Sequence, residues 1–297
     1  MRMPGDGIGR RGWHPVKVPH PPTWHHRRME WTRRTRMMFV TGGGGLLGRH
    51  LQRSPAVEKW ELIAPNSHSL DVRQRDRVID MITDWKPKAV VHLACSRDDR
   101  RSIVDASRNV AEAAAACGAR LIHLSSDVVF PGRTTPYRET DGVFAITEYG
   151  RMKADAEVAV MNACPTAVMV RTSLMYATDF LAPPQIDVQK SLRGETRTRF
   201  FTDEFRCPAH AADVAAACAA LASMPDITGP LHVAGPDPLS RAEFAMAIAI
   251  WLGMNPALVP TASLADASVD RPARLVLDSS RAAALGLRCR SVAEALR

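Results

Sequence analysis

The 297-residue chain has little that would cross-link it or anchor it. Its six cysteines, at 95, 117, 164, 207, 218 and 289, stand singly with no C-x-x-C pair. That excludes a paired-cysteine metal or dithiol site and fits structural thiols in a reducing, cytoplasmic setting. No apolar run approaches the length needed to cross a membrane. The body of the chain also lacks an excess of either charge. Residues 1 to 36 hold nine Lys and Arg against Asp6 and Glu30, a net +7 of the chain's +8. What remains is nearly neutral, so neither a nucleic acid nor a membrane is an expected partner. That leading segment has no apolar periodicity and no h-region of a secretory signal, but it has five prolines, four histidines and three tryptophans. It is expected to be a disordered basic extension ahead of a start at Met37 or Met38. Its histidines lack a scaffold, and no metal site is expected.

What is present begins at Met37-Met-Phe-Val40, a short apolar strand that runs into the four glycines 42 to 45 and then an apolar helical start at Leu46, Leu47 and Leu51. Thr41, Gly42, Gly45 and Gly48 form T-G-x-x-G-x-x-G, a dinucleotide-binding turn with a lengthened first gap. The first glycine permits a sharp exit from the strand, the second lets a diphosphate reach bare backbone, and the third lets helix and strand pack closely. Free N–H groups at Leu46 and Leu47 and the positive end of the helix dipole then face the diphosphate. The second strand, Glu61 to Ala64, ends in Pro-Asn-Ser-His-Ser with no carboxylate to hold a ribose 2′-hydroxyl. Arg49, helped by His50, Arg53 or His68, would instead meet a 2′-phosphate, so NADPH is the expected cofactor, with NADH as the alternative.

Further along, strand and helix alternate. Helical spacing marks Asp71 to Trp85, Ile103 to Cys117 and Thr147 to Met161, and apolar strands occupy 88–93, 120–124 and 167–171. Connections too long for hairpins argue for a doubly wound parallel α/β sheet with a smaller C-terminal substrate lobe. The expected division is a dinucleotide-binding domain over 37–172 and 207–233, and a substrate lobe over 173–206 and 234–297. The basic series Lys190, Arg193, Arg197 and Arg199 reads equally as a diphosphate-facing set or a solvated face. Ser240 to Glu243 is a capping box, and Asp278-Ser-Ser-Arg281 opens a last short helix, as a helix cap or, alternatively, as a substrate contact.

Chemistry concentrates in the middle. Leu121-Ile-His-Leu-Ser-Ser-Asp127 is a strand ending in hydroxyls, and ligands sit at such ends in a parallel sheet. Twenty-three residues after Ser126 comes Tyr149-Gly-Arg-Met-Lys153, with phenol and ammonium on one helix face. A nearby ammonium is expected to draw the phenol's pKa down from about 10 toward neutrality. Ser126 would then hold a carbonyl, Tyr149 would protonate its oxygen and Lys153 would tune the phenol and reach ribose hydroxyls.

These residues resemble the extended short-chain dehydrogenase/reductases, and more narrowly the dTDP-4-dehydrorhamnose reductase group. The matching pieces include TGGGGLLGRHL, SLDV, LSSDVVFPG with PYRETD, YGRMKADAE, VRTSLMY and FFTDEFRCPAHAADVA. The resemblance implies Ser126, Tyr149 and Lys153 as the catalytic trio, Asp71 and Val72 beside the adenine, and Ala94 at the nicotinamide end. It also implies Asp127, Val128, Ser173 and Leu174 around a nucleotide-sugar substrate, and admits a homodimer. The implied activity is NADPH-dependent reduction of a 4-keto-6-deoxyhexose. The alternatives are a catalytically weak regulatory subunit of another enzyme or a sugar epimerase. Three departures stand out: Ile103 where the family has Asn, a connection from Cys95 to Ser102 about ten residues short, and Val128 and Leu174 at positions that are commonly aromatic.

Overall fold

The computed structural model describes residues 36–267 and 270–297. The leading segment expected to be disordered lies outside them, apart from Arg36, which opens the first strand.

Six strands carry the parallel sheet: β1 (Arg36–Thr41), β2 (Trp60–Ile63), β3 (Ala89–His92), β4 (Arg120–Ser126), β5 (Val168–Thr172) and β6 (Gly229–His232). Their order is β6-β5-β4-β3-β1-β2, parallel throughout. Alternate side chains feed two cores because successive residues of a strand point to opposite faces. On β1, Met38 and Val40 enter one cluster, with Leu47, Leu51, Val214 and Leu221, while Phe39 enters the other, with Val78, Ile82, Val110 and Val160. β5 repeats this with Val168 and Val170 against Met169. Both faces are therefore covered by helices, which is why these strands read as unbroken apolar runs.

The helices on the first face are α1 (Leu46–Arg53) and, from later in the chain, Ala211–Leu221. The opposite face is covered by α2 (Arg75–Trp85), α3 (Ala106–Ala116) and α4 (Glu148–Ala163). Two helix starts differ from the periodicity. α2 begins four residues later than expected because the Asp71 side chain accepts the Arg73 N–H (3.0 Å) and turns the backbone first. Ahead of α3, Arg101–Asp105 forms a wide turn of π type. Later elements gather around Tyr176, Phe200, Phe244 and Ile248, with the helix Arg241–Trp251 opened by the Ser240–Glu243 capping box. The helix Ser280–Ala284 is not the last one, since Val292–Ala295 follows it behind a Ser291 cap.

Candidate active site

The winding reverses between β1 and β3, and a crevice opens there beyond the strand ends. Gly42, at φ +71°, makes this approach possible: a Cβ on it would lie 2.6 Å from the Ala94 nitrogen. Thr41, buried, bridges the two strand ends by accepting N–H bonds from Leu93 (3.2 Å) and Ala94 (3.3 Å) on its hydroxyl. The resulting cleft has a volume of about 480 Å³. Of the residues expected at a dinucleotide, Gly42, Gly45, Asp71, Val72 and Ala94 line it. Leu46 and Leu47 begin α1 at the cleft floor, where first-turn N–H groups have no intrahelical acceptor. Gly48 is buried against the turn. A bare-backbone cradle with free N–H groups fits a dinucleotide diphosphate.

The adenosine end departs from expectation. Arg49 does not line the cleft: its guanidinium lies 3.9 Å over the Phe180 ring. Arg53 pairs with Asp179 at 3.0 Å, and His50 also faces Asp179 and stacks on Phe180. The corner beyond β2 is formed by Pro65, Asn66 and Ser67. The Asn66 side-chain oxygen already caps the N–H groups of His68 and Ser69. The cation that does line the cleft is Arg73, which sequence reading missed. It grips Asp71 with two nitrogens (2.9 Å each) and reaches Asp99 at 3.2 Å. These bonds hold the Asp71 carboxyl below its usual range. Asn109, buried, fixes the next residue by donating to the Val72 carbonyl at 3.1 Å.

At the other end, β4 and α4 meet. Gly150 allows this contact, since a Cβ there would run into the Val128 carbonyl. Thr147 caps α4 by accepting the Gly150 N–H (3.1 Å), and the half-buried Tyr149 follows one residue inside the helix. Lys153, one turn on and buried, donates to the Leu124 carbonyl of β4 at 2.6 Å. Ser126 ends β4, with its hydroxyl donating to Asp127 at 3.1 Å. Cys95, which lines the cleft, lies within hydrogen-bond reach of the Tyr149 hydroxyl. Ser126, Tyr149 and Lys153 do not themselves line the cleft; Tyr149 and Lys153 both lie near Cys95, which does, and Ser126 ends the strand on which Lys153 rests.

One electrostatic expectation is corrected. The Tyr149 phenol is pushed up rather than drawn down, mainly by burial and then by the Cys95 thiol beside it, and Arg97 opposes the rise. The Lys153 ammonium, one turn away, donates to the Leu124 carbonyl. Burial lowers its own pKa. Behind it, His92 and His123 stack at 5.4 Å, and burial keeps both imidazoles neutral, His92 down to about 3.

The residues expected at a substrate divide. Asp127 is buried, and its second oxygen accepts from Ser173 (2.6 Å) and Arg206 (3.0 Å). It knots three chain segments together. Val128 packs beside Phe130, and Leu174 packs against the Tyr176 and Phe244 cluster. Ile103 is buried with Met152 and Ala156 under the Tyr149 ring, so no polar side chain stands there. Lys190, Arg193, Arg197 and Arg199 are exposed, as a solvated series would be. Sequence reading also missed Glu157, which accepts from Arg171 through two nitrogens (3.0 and 2.7 Å) and from Ser125 (2.5 Å). Its only signal was its place four residues beyond Lys153, on the same helix face.

A glycine cradle at the reversal point of a doubly wound parallel sheet, with Tyr149 and Lys153 one turn apart on the helix that packs behind β4, is the arrangement of the extended short-chain dehydrogenase/reductase class. The chain belongs to the RmlD substrate binding domain family, whose match runs over residues 36–297. Among its relatives, methionine adenosyltransferase 2 subunit beta of Pongo abelii is 30% identical over 286 residues, spanning 85% of this chain and 83% of that protein. The dTDP-4-dehydrorhamnose reductase of Mycolicibacterium smegmatis is also 30% identical, over 287 residues, spanning 91% and 86%. A crystal structure of dTDP-4-dehydrorhamnose reductase from Bacillus anthracis in complex with NADP has a TM-score of 0.80 at 24% identity, covering 88% of this chain and 97% of that one. At that identity the likeness speaks for the fold.

Proposed function

We propose that this chain reduces the 4-keto group of a nucleotide-diphosphate 6-deoxyhexose, using a reduced nicotinamide dinucleotide, with NADPH as the sequence expectation and NADH as the alternative donor. The observation that supports this reading is that Tyr149 and Lys153, one turn apart on α4, both lie near Cys95 of the cleft, with Ser126 at the end of the strand that Lys153 rests on. The bound dinucleotide supplies the hydride. Gly42, Gly45 and the first N–H groups of α1 hold its diphosphate, while Asp71 and Val72 border its adenine. Ser126 turns its hydroxyl from Asp127 to the ketone oxygen and so orients the carbonyl. Tyr149 gives its proton to that oxygen as the phenol O–H breaks and the new alcohol O–H forms. Lys153 holds a positive charge in a buried position one turn away and is the donor available to ribose hydroxyls. A cytoplasmic setting agrees with the six free thiols and with the absence, among the described residues, of a helix long and apolar enough to cross a membrane.

The test is loss of reduced-nicotinamide absorbance when the purified chain meets a dTDP-4-keto-6-deoxyhexose. Tyr149→Phe should cut turnover by about 10²–10⁴-fold. Unchanged turnover in that variant ends the assignment.

A second reading has its own support. The apolar surroundings at Ile103 and the raised phenol suit a protein that binds a dinucleotide while serving another enzyme, and a 30%-identical relative is named as a subunit of methionine adenosyltransferase. Dinucleotide binding without turnover on a panel of ketosugars, with co-purification of a partner enzyme, would favour it. Dinucleotide retained in oxidised form through purification would point to epimerase chemistry instead.

A further inference from the structure

The connection from Cys95 to Ser102 is short, and it is tied at several points. Ser96 and Ser102 bond reciprocally: the Ser96 N–H donates to the Ser102 hydroxyl at 3.0 Å, and that hydroxyl donates to the carbonyls of Ser96 (3.1 Å) and Asp99 (2.9 Å). Asp99 accepts the Arg101 N–H at 2.9 Å and the Arg73 guanidinium at 3.2 Å. Arg100 reaches across to Asp155 of α4 at 2.8 Å. The loop is therefore laced to itself, to the cleft wall and to the helix that carries Tyr149.

Within this lacing one side chain has no carboxylate of its own. Arg97 is exposed, makes no ion pair among the described residues, and sets its guanidinium carbon 5.1 Å from the centre of the Tyr149 ring. The opposite environment of that ring is apolar, made by Ile103, Val104, Met152 and Ala156. Lys153, the cation expected to act on the phenol, directs one of its donors to the Leu124 carbonyl. A guanidinium over an aromatic face is attracted to its electrons, and the attraction grows when the oxygen of that ring becomes negative.

Resting on the reductase reading above, we propose that Arg97 is the positioning residue of Tyr149. Held over the ring by the laced loop, it keeps the phenol aimed at the end of the cleft and steadies the charge that gathers on the phenol oxygen as its proton leaves. The direction in which Arg97 moves the phenol's pKa, downward against burial, agrees with this role. The short loop thus places a cation over the ring, across from the apolar side chains of Ile103 and Met152.

Two variants of the full chain test the proposal. Arg97→Met should lower kcat on the ketosugar about tenfold, leave the sugar-nucleotide KM near its original value and move the alkaline limb of the pH profile upward by about one unit. Arg97→Lys should recover part of both changes. A readout independent of turnover is the ionisation of 2,3-difluorotyrosine installed at position 149, followed by absorbance, whose midpoint should rise in Arg97→Met. An unmoved midpoint overturns the proposal whatever the kinetics. So does a raised KM at constant kcat, which would make Arg97 a substrate ligand. If no form turns over the ketosugar and the midpoint still shifts, Arg97's role stands and the reductase reading falls.

Discussion

The two ends of the cleft are built by different means. The glycine end is a backbone object: Gly42, Gly45 and the first N–H groups of α1 offer a surface with no side chains, and the corner beyond β2 is neutral. The Ala94 end is a side-chain object: Ser126 donates to Asp127, which also accepts from Ser173 and Arg206, Lys153 donates to the Leu124 carbonyl, and one turn further along α4 Glu157 pairs with Arg171. A backbone cradle tolerates changes in the residues around it. A network of buried charges fails when one member is removed.

The largest contrast should come from Glu157→Gln, which leaves the Arg171 guanidinium buried without its carboxylate. A loss of about 3–5 kcal/mol is expected in urea unfolding. Adding Arg171→Met should restore much of it, and additive losses would break the claim that the pair acts as one unit.

Acid should strike the same end. His92 and His123 are neutral in the folded chain, with His92 held near 3 against 6.5 for the free side chain. Unfolding then takes up protons between pH 6.5 and 3, so stability is full above 6.5 and falls below it by up to about 1.4 kcal/mol per unit for each histidine. Melting temperatures from pH 7.5 to 4.5 should slope accordingly, and His123→Gln should flatten the slope. A slope identical in that variant would remove the imidazoles from the account.

Gly150→Ala is next in size, expected to cost about 1–3 kcal/mol by forcing α4 away from the Val128 carbonyl. Turnover should fall while dinucleotide binding by fluorescence titration holds. Equal losses of both would show that the two ends are coupled.

The smallest effect belongs to the neutral corner. Ser67→Arg should favour NADPH over NADH by about tenfold in binding, because a guanidinium beyond the second strand can meet a 2′-phosphate. An unchanged ratio would locate the ribose elsewhere.

The same contrast explains what could be read from the residues alone. The glycine spacing announced the cradle because each glycine answers a local backbone demand, and the apolar alternation of β1 and β5 announced a sheet covered on both faces. Tyr149 and Lys153 were legible because one helix turn separates them. Nothing near Arg49 in sequence reveals that Phe180, 131 positions on, lies under its guanidinium. Glu157, Arg206 and Arg97 were missed for a related reason. Their meaning lies in partners on other elements, and a lone charge in sequence reads as solvated surface.

Asp127 carries one more implication. Ser173 and Arg206 both end on its second oxygen, and the Cys207 N–H donates to the Ser173 hydroxyl at 3.3 Å, so one buried carboxylate sews together the two ends of a long intervening stretch. Between those ends Tyr176, Val188 and Phe200 pack with Phe244 and Ile248, so the stretch is anchored by a core of its own as well as by the seam. Its exposed positions, Lys190 and Arg193 among them, are free to vary while the seam and that core keep their places.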